Sequence, residues 1–135
     1  MREILFRGKN MNADAWVYGS LVPKCIDSTV SVIILKYAVS PPSEVYSCKV
    51  WPNTVGQYTG LKDKNGKRIF EGDICRNTRT GEIVSVKWDG TMAGFVWHKR
   101  KNDNSHLYDF GELFRAYDKY EVIGNIHDNP ELMGV

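Results

Sequence analysis

The chain has 135 residues and a formal net charge of +2, and 42% of its residues are hydrophobic while 25% are charged. Together with 4 Trp, 7 Tyr and 5 Phe, this composition excludes an intrinsically disordered chain and fits one domain, or one domain with a small companion lobe. The longest aliphatic run, Val32 to Leu35, is far shorter than the roughly 20 residues of a bilayer-spanning helix, so we expect no membrane partner.

The cysteines and the first residues predict a cytoplasmic protein. Cys25, Cys48 and Cys75 are odd in number and widely spaced, which favours reduced thiols over disulfides or zinc ligands. Residues 1–7 lack the long apolar stretch of a signal peptide. We therefore expect a location in the cytoplasm of the cell that makes the protein, with neither a metal nor a cofactor.

The first half of the chain is predicted to form short strands. Residues 3–7 alternate loosely, and residues 16–22 and 30–37 are rich in aromatic and β-branched side chains. A fourth apolar stretch, 45–51, ends at Pro52, because proline donates no ladder hydrogen bond. These strands are predicted to form an N-terminal β lobe.

The second half carries clearer turn signals. Asn65-Gly66 supplies the positive φ of a tight hairpin turn, and a second sharp turn is expected at 71–73. In the strand predicted at 83–88, Val84, Val86 and Trp88 share one face. Further strands are expected at 95–98 and 119–126.

One segment differs from this pattern. Apolar residues between 107 and 117 recur every three or four positions, which predicts a short amphipathic helix. Short strands at roughly ten-residue intervals, separated by turn pairs, are otherwise typical of a small β-barrel or sandwich. We therefore predict a mainly β fold of the β-rich α+β type.

Three separated motifs carry a family resemblance. The first is Phe6-Arg7-Gly8 with 16–19, and the second is the string 54–67 with 69–74. The third is 121–132 at the end of the chain. In this order they closely resemble the YopX family, which is encoded by phages and prophages of bacteria.

The resemblance implies a mostly β protein with an SH3-like barrel in its second half, an oligomeric state and no catalytic residues. The expected organisation is an N-terminal β lobe over 1–56, the barrel over 57–127 and a C-terminal tail over 128–135. Exposed strand edges in the first lobe also favour a homo-oligomer.

The glycine-rich signature is interpreted as architectural. Its members are placed where the chain must turn or pass close to another strand, and Asp73 can accept hydrogen bonds from nearby backbone amides. The predicted turn residues are Gly56, Gly60, Gly66, Gly72 and Asp73. A phosphate cradle is the alternative, but neither phosphate-binding glycine spacing occurs here.

Basic side chains provide the candidate nucleic-acid site. One cluster lies on two predicted hairpin arms, and the other lies on a predicted loop. The candidates are Lys62, Lys64, Lys67, Arg68, Arg76, Arg79, Lys99, Arg100 and Lys101. A basic groove with aromatic platforms is how small β-barrels hold single-stranded nucleic acid, whereas solvated turn lysines are the structural alternative.

The aromatic residues near these clusters leave two interpretations open. Trp88, Trp97 and Tyr108 could pack the core, or they could form a binding surface for bases or a small ligand. Charge distribution is equally open: residues 61–101 carry 10 basic and 5 acidic side chains, and 102–135 carry 2 and 7. The two segments could pair with each other or face different partners.

We therefore expect a phage or prophage accessory protein of the bacterial host cytoplasm that acts by binding and is not an enzyme. No nucleophile elbow or paired catalytic carboxylates stand out in the sequence. Nucleic-acid binding is the first hypothesis. The alternative is a module for interaction with host or phage proteins, or for homo-oligomeric assembly.

Overall fold

The computed structural model describes residues 2–23, 32–36, 46–99 and 119–134. The helix predicted at 107–117, and the candidates Arg100, Lys101 and Tyr108, lie outside the described residues. The strands are β1 (Phe6–Lys9), β2 (Trp16–Pro23), β3 (Val32–Lys36), β4 (Tyr46–Val50), β5 (Gly56–Lys62), β6 (Arg68–Phe70), β7 (Asp73–Asn77), β8 (Ile83–Asp89), β9 (Gly94–Lys99) and β10 (Tyr120–Asn125).

Two short 3-10 helices, Pro52–Thr54 and Pro130–Met133, complete the described elements. The chain divides into two compact units, Met1–Tyr58 and Thr59–Val135. Within the described ranges, no helix has the length and apolar character needed to cross a bilayer. The mainly β fold class is therefore confirmed.

The first unit is an antiparallel sheet built from successive neighbours. β1 pairs with β2, β2 with β3, and β3 with β4, while the first residues of β5 pair with β1 on its other side. Its small core contains Val17 and Val50, which are 3% and 0% exposed. The Thr54 hydroxyl accepts a 2.9 Å hydrogen bond from the Lys9 amide, which fixes the 3-10 helix beside β1.

The second unit holds the larger core. Its four-stranded sheet has the order β10-β7-β8-β9, and every neighbouring pair is antiparallel. The rings of Trp97 and Tyr120 stack with their centroids 4.6 Å apart. The buried residues of this core are Ile69, Cys75, Val84, Val86, Phe95, Trp97 and Tyr120.

The SH3-like barrel is not confirmed, because this sheet is open. Its outer strands, β9 and β10, each have one hydrogen-bonded neighbour within the described sheet. The loop between β5 and β6 reaches β10 through single hydrogen bonds, such as the 3.1 Å bond from the Lys64 amide to the Tyr120 carbonyl. Isolated bonds of this kind are not a strand ladder and do not close a barrel.

The two faces of β8 alternate as predicted, but neither face is uniformly buried or uniformly exposed. Val84 and Val86 are 0% and 1% exposed, but Trp88, on the same face, is 52% exposed. Trp88 lies beyond the core and contacts Phe95 edge-to-face, with the two ring centroids 5.1 Å apart. Ser85, on the opposite face, is only 1% exposed. The middle of β8 is therefore covered on both sides, while its end is not.

The predicted turn residues fall at several kinds of position. Gly60, Gly66 and Gly72 have φ values of 90°, 82° and 90°. Gly56 is buried at the start of β5, opposite Arg7. The Asp73 carboxylate is 1% exposed and accepts a 2.7 Å hydrogen bond from the Phe70 amide across the turn between β6 and β7.

Candidate nucleic-acid interface

A buried aspartate organises the loop between β5 and β6. Asp63 is 6% exposed, and its Oδ1 accepts hydrogen bonds from the amides of Asn65 at 2.8 Å and Lys67 at 2.9 Å. Its Oδ2 accepts a 2.9 Å bond from the Val122 amide on β10. The carboxylate therefore shapes the loop and also attaches it to the sheet, which leaves the side chains of Lys64 and Lys67 exposed.

The turn between β7 and β8 is organised in a similar way by an asparagine. The Asn77 Oδ1 accepts hydrogen bonds from the amides of Arg79 at 2.9 Å and Thr80 at 3.2 Å. Side-chain acceptors that cap their own turn are a common use of asparagine. The arrangement leaves the side chain of Arg79 exposed.

The two turns meet at the first residues of β10. The Lys64 amide bonds to the Tyr120 carbonyl at 3.1 Å, and the Thr78 amide bonds to the Lys119 carbonyl at 2.9 Å. The loop and the turn therefore lie on either side of the Lys119–Tyr120 backbone. Lys119, which is exposed, joins the basic residues that the turns present.

We call this region the basic end, defined by the exposed cations Lys62, Lys64, Lys67, Arg79 and Lys119. Among the described residues, none of these five side chains forms an ion pair. Four of them were sequence candidates, and Lys119 was not. Lys119 lies in an acidic stretch of the sequence, and the bonds from the Thr78 amide and hydroxyl to its carbonyl hold it beside the basic turns.

Two other sequence candidates are occupied by acidic partners. The Arg76 guanidinium bonds to the Glu121 carboxylate, with Nε at 3.1 Å from Oε1. Lys99 Nζ lies 3.1 Å from Oε1 of Glu82. The first pair joins the basic segment 61–101 to the acidic segment 102–135, one of the two alternatives for the charge distribution, whereas both members of the second pair lie within 61–101. Arg68 is exposed on β6 and also has an interaction within the protein.

Among the aromatic candidates that the structure describes, Trp88 is exposed, and it lies at the other end of the sheet. Trp88 is five residues beyond Ile83 along β8, about 17 Å at 3.3–3.4 Å per residue. Trp97 and Tyr120 are 1% and 4% exposed, so their faces are closed to a ligand. In the part of the chain that the structure describes, the basic end therefore has cations but no exposed ring on which a base could stack.

Two titratable groups outside the basic end have perturbed pKa values. Hydrogen bonds from the Thr91 hydroxyl and amide lower the pKa of Asp89 at the turn between β8 and β9. Burial, followed by the nearby Lys87 charge, lowers the pKa of His98. Among the described side chains, no group of three His, Cys, Asp or Glu is arranged to hold a metal ion.

Comparison with known proteins identifies a family and related solved structures. The chain resembles the crystal structure of protein EF1440 from Enterococcus faecalis, with 26% sequence identity and a TM-score of 0.53 over 98% of this chain and 99% of that one. A search of curated proteins returned no match. The YopX protein family model matches residues 5–134. The resemblance carried by the three sequence motifs is thus confirmed, and the chain belongs to the YopX family.

Proposed function

We propose that this protein binds nucleic acid by contacting phosphates at the basic end. One observation carries the proposal: two basic turns are held by backbone hydrogen bonds on either side of Lys119. Cations on a fixed frame lose less conformational freedom on binding than cations on a mobile loop. The arrangement therefore favours phosphate contact over a set of merely solvated lysines.

The absence of ion-pair partners for these residues in the described part of the chain supports the same proposal. When a cation that is paired with an acidic residue binds a phosphate, it must first lose that ion pair, which costs binding free energy. The five cations of the basic end carry no such cost within the described residues. Each phosphate they neutralise releases condensed counterions, which is the main source of non-specific affinity for nucleic acid.

The chemistry of the site also suggests its mode of binding. Base stacking by aromatic side chains is the usual basis of single-strand preference, and the exposed Trp88 ring is at the opposite end of the sheet. We therefore expect contacts to the sugar–phosphate backbone with little sequence preference. Duplex DNA, with its higher charge density, should bind at least as tightly as a single strand.

Binding, and not catalysis, is the activity that we propose. The basic end combines cations with carboxylate and amide groups that are engaged in turn formation, such as Asp63 and Asn77. The cations can hold a phosphate, but the basic end supplies no activated nucleophile. The corresponding biological role is a phage or prophage accessory protein in the bacterial cytoplasm.

The test is fluorescence anisotropy with labelled duplex DNA, single-stranded DNA and RNA at several salt concentrations. If all five cations contact phosphates, the slope of log affinity against log salt is about −4.5 for duplex DNA and about −3.5 for a single strand. The double variant Lys64→Glu with Lys119→Glu should weaken binding strongly, and its slope should be about 2 units shallower.

A charge-matched control separates the site from overall charge. Arg2→Glu with Lys49→Glu reverses two exposed cations of the first unit and changes the net charge equally, from +2 to −2. This control should retain most of the affinity. Equal weakening by both pairs, or the absence of binding by the parent protein at low salt, would refute the proposed site.

A second candidate function rests on a different observation. Trp88 and Met92, beside the turn between β8 and β9, are 52% and 45% exposed. Exposed aromatic and methionine side chains are enriched in protein interfaces. Homo-oligomeric assembly through this turn would appear in sedimentation velocity as a concentration-dependent mass, and Trp88→Ser should reduce it. A monomer at high concentration would leave contact with host or phage proteins as the remaining form of this hypothesis.

A further inference from the structure

The second unit contains a cavity on the face of the sheet away from its main core. The cavity has a volume of about 400 Å³ and lies between β8, β9 and the C-terminal segment. Pockets for small molecules commonly have volumes of roughly 300–1,000 Å³. Residues lining it include Ser85, Lys87, His98, Ile126, Pro130 and Met133. None of these belongs to the basic end.

The polar part of the wall comes from adjacent strands. Ser85 and His98 are directly opposite each other in the antiparallel pairing of β8 and β9. Ser85 is 1% exposed and lines the cavity beside His98. Its hydroxyl can donate a hydrogen bond to the head group of a ligand in the cavity.

The charge of the cavity is positive. Lys87 is exposed on β8 and has no acidic partner among the described residues. His98 keeps a lowered pKa because of its burial and the Lys87 charge. Lys99 also borders the cavity, but its ammonium group is paired with Glu82. An anion is therefore the complementary ligand for Lys87 and His98.

The opposite wall is apolar, and hydrogen bonds from its backbone amides hold it in place. The Ile126 amide bonds to the Gly72 carbonyl at 2.9 Å, and the Asn125 Oδ1 accepts bonds from the amides of His127 and Asp128 at 3.0 and 2.9 Å. The following 3-10 helix brings Met133, which is 7% exposed, against the sheet. The apolar wall is thus formed before any ligand binds.

We propose that this cavity binds a small amphipathic organic anion. A carboxylate or phosphate head group would bind Lys87 and the Ser85 hydroxyl beside His98, and an apolar body would lie against Ile126 and Met133. The site is independent of the proposed nucleic-acid interface, because the two share no residue. Either proposal can therefore fail without the other.

The first test uses anilinonaphthalene sulfonate, an aromatic anion whose fluorescence rises in apolar surroundings. We expect saturable binding at one site, weakened about tenfold or more by Lys87→Glu, since the change turns an attraction into a repulsion. Lys49→Glu makes the same charge change on an exposed strand residue of the first unit and should leave the affinity within about twofold. Ile126→Trp, at the partly exposed rim, should block the cavity and abolish binding.

Competition then identifies the head group. Decanoate and decyl phosphate should both displace the probe, and the tighter of the two indicates a carboxylate or a phosphate ligand. Uncharged decanol should compete at least about tenfold less well. In the parent protein, the NMR signal of the His98 ring should move on addition of the better anion, whereas that of His127 should move less.

Any one of three binding results would overturn the proposal. They are the absence of saturable binding by the parent protein, equal binding by the Lys87→Glu and Lys49→Glu variants, and equal displacement by decanol and the anions. Because the probe also binds loosened proteins, each variant is checked by its thermal melt. The His98 signal in the parent protein is independent of any variant, so a stationary signal under saturating anion would refute the site.

Discussion

The two ends of the four-stranded sheet use the same kind of turn for different surfaces. At the basic end, Asp63 is buried and binds three amides, one of them on a distant strand. At the other end, Asp89 accepts bonds from Thr91 and Met92 within its own turn. The first aspartate therefore joins two elements, whereas the second shapes only one. A turn that is attached elsewhere can hold a surface in a fixed place.

The largest difference between the ends should appear on removal of the two carboxylates. Asp63→Ala leaves three amides without their acceptor and should cost about 3 kcal/mol of unfolding free energy, since hydrogen bonds to a charged group contribute roughly 1.5–3 kcal/mol each and solvent replaces part of them. Urea unfolding of the parent and variant measures the loss. Asp89→Ala is the matched control at the exposed turn and should cost much less. Equal losses would mean that the attachment to β10 adds nothing.

The aromatic residue at the other end gives a smaller expected effect. Trp88→Ala removes the edge-to-face contact with Phe95, and such contacts contribute about 0.5–1.5 kcal/mol beyond area burial. Nucleic-acid affinity should stay unchanged, because Trp88 is remote from the basic end. Urea unfolding and fluorescence anisotropy on the same preparation test both statements. A marked loss of affinity would show that the two ends act together.

The pH dependence of stability tests the contribution of the Asp89 carboxylate at the second end. Since hydrogen bonds from Thr91 lower the pKa of Asp89 below 3.8, the stability that this carboxylate contributes is complete above its ordinary pKa and is lost as the pH falls through the lowered value. The parent protein and Asp89→Asn should therefore differ in melting temperature near neutral pH and converge in strong acid. A difference that persists unchanged in acid would point to shape, not ionisation, as its cause.

We expect the smallest change in stability from the titration of His98, and this change tests anion binding in the cavity. Its lowered pKa means that the unfolded chain binds a proton more readily than the folded protein, so stability should decrease modestly as the pH falls through 6.5. An anion in the cavity, near His98 and the Lys87 ammonium from β8, should oppose this decrease. Melting curves of the parent and His98→Gln between neutral and mildly acidic pH, with and without decanoate, measure both changes. Identical melting curves for the two proteins would show that His98 causes neither the pH-dependent decrease nor its reversal by decanoate.

Local patterns predicted much of the fold. The Asn65-Gly66 pair indicated a turn, and Gly66 has the positive φ of 82° that such a turn needs. Alternation placed Val84 and Val86 correctly in the core. The same alternation placed Trp88 on the face of Val84 and Val86 but left its burial open, and Trp88 is 52% exposed. A period of two identifies a face of the strand but not the point at which the covering layer ends.

Long-range contacts explain what the sequence did not predict. Asp63 bonds to an amide 59 residues away, and the Thr78 hydroxyl bonds to the carbonyl of Lys119, 41 residues away. No local pattern contains such separations, so the roles of Asp63 and Lys119 were missed. An aspartate two positions before Asn65 is a recognisable turn signal, but its bond to β10 is a tertiary feature. The ion pair between Arg76 and Glu121, 45 residues apart, is hidden for the same reason.

The double attachment of Asp63 has a consequence for motion. One carboxylate bonds to Asn65 and Lys67 in the loop through one oxygen and to Val122 through the other. Local opening of β10 therefore releases the loop at the same time, so both should belong to one cooperative unit in hydrogen exchange. A fluctuation of this kind would scatter the cations of the basic end together, and a bound polyanion would suppress it. Bound nucleic acid would then slow amide exchange in β10, a strand whose buried core side chains it never touches.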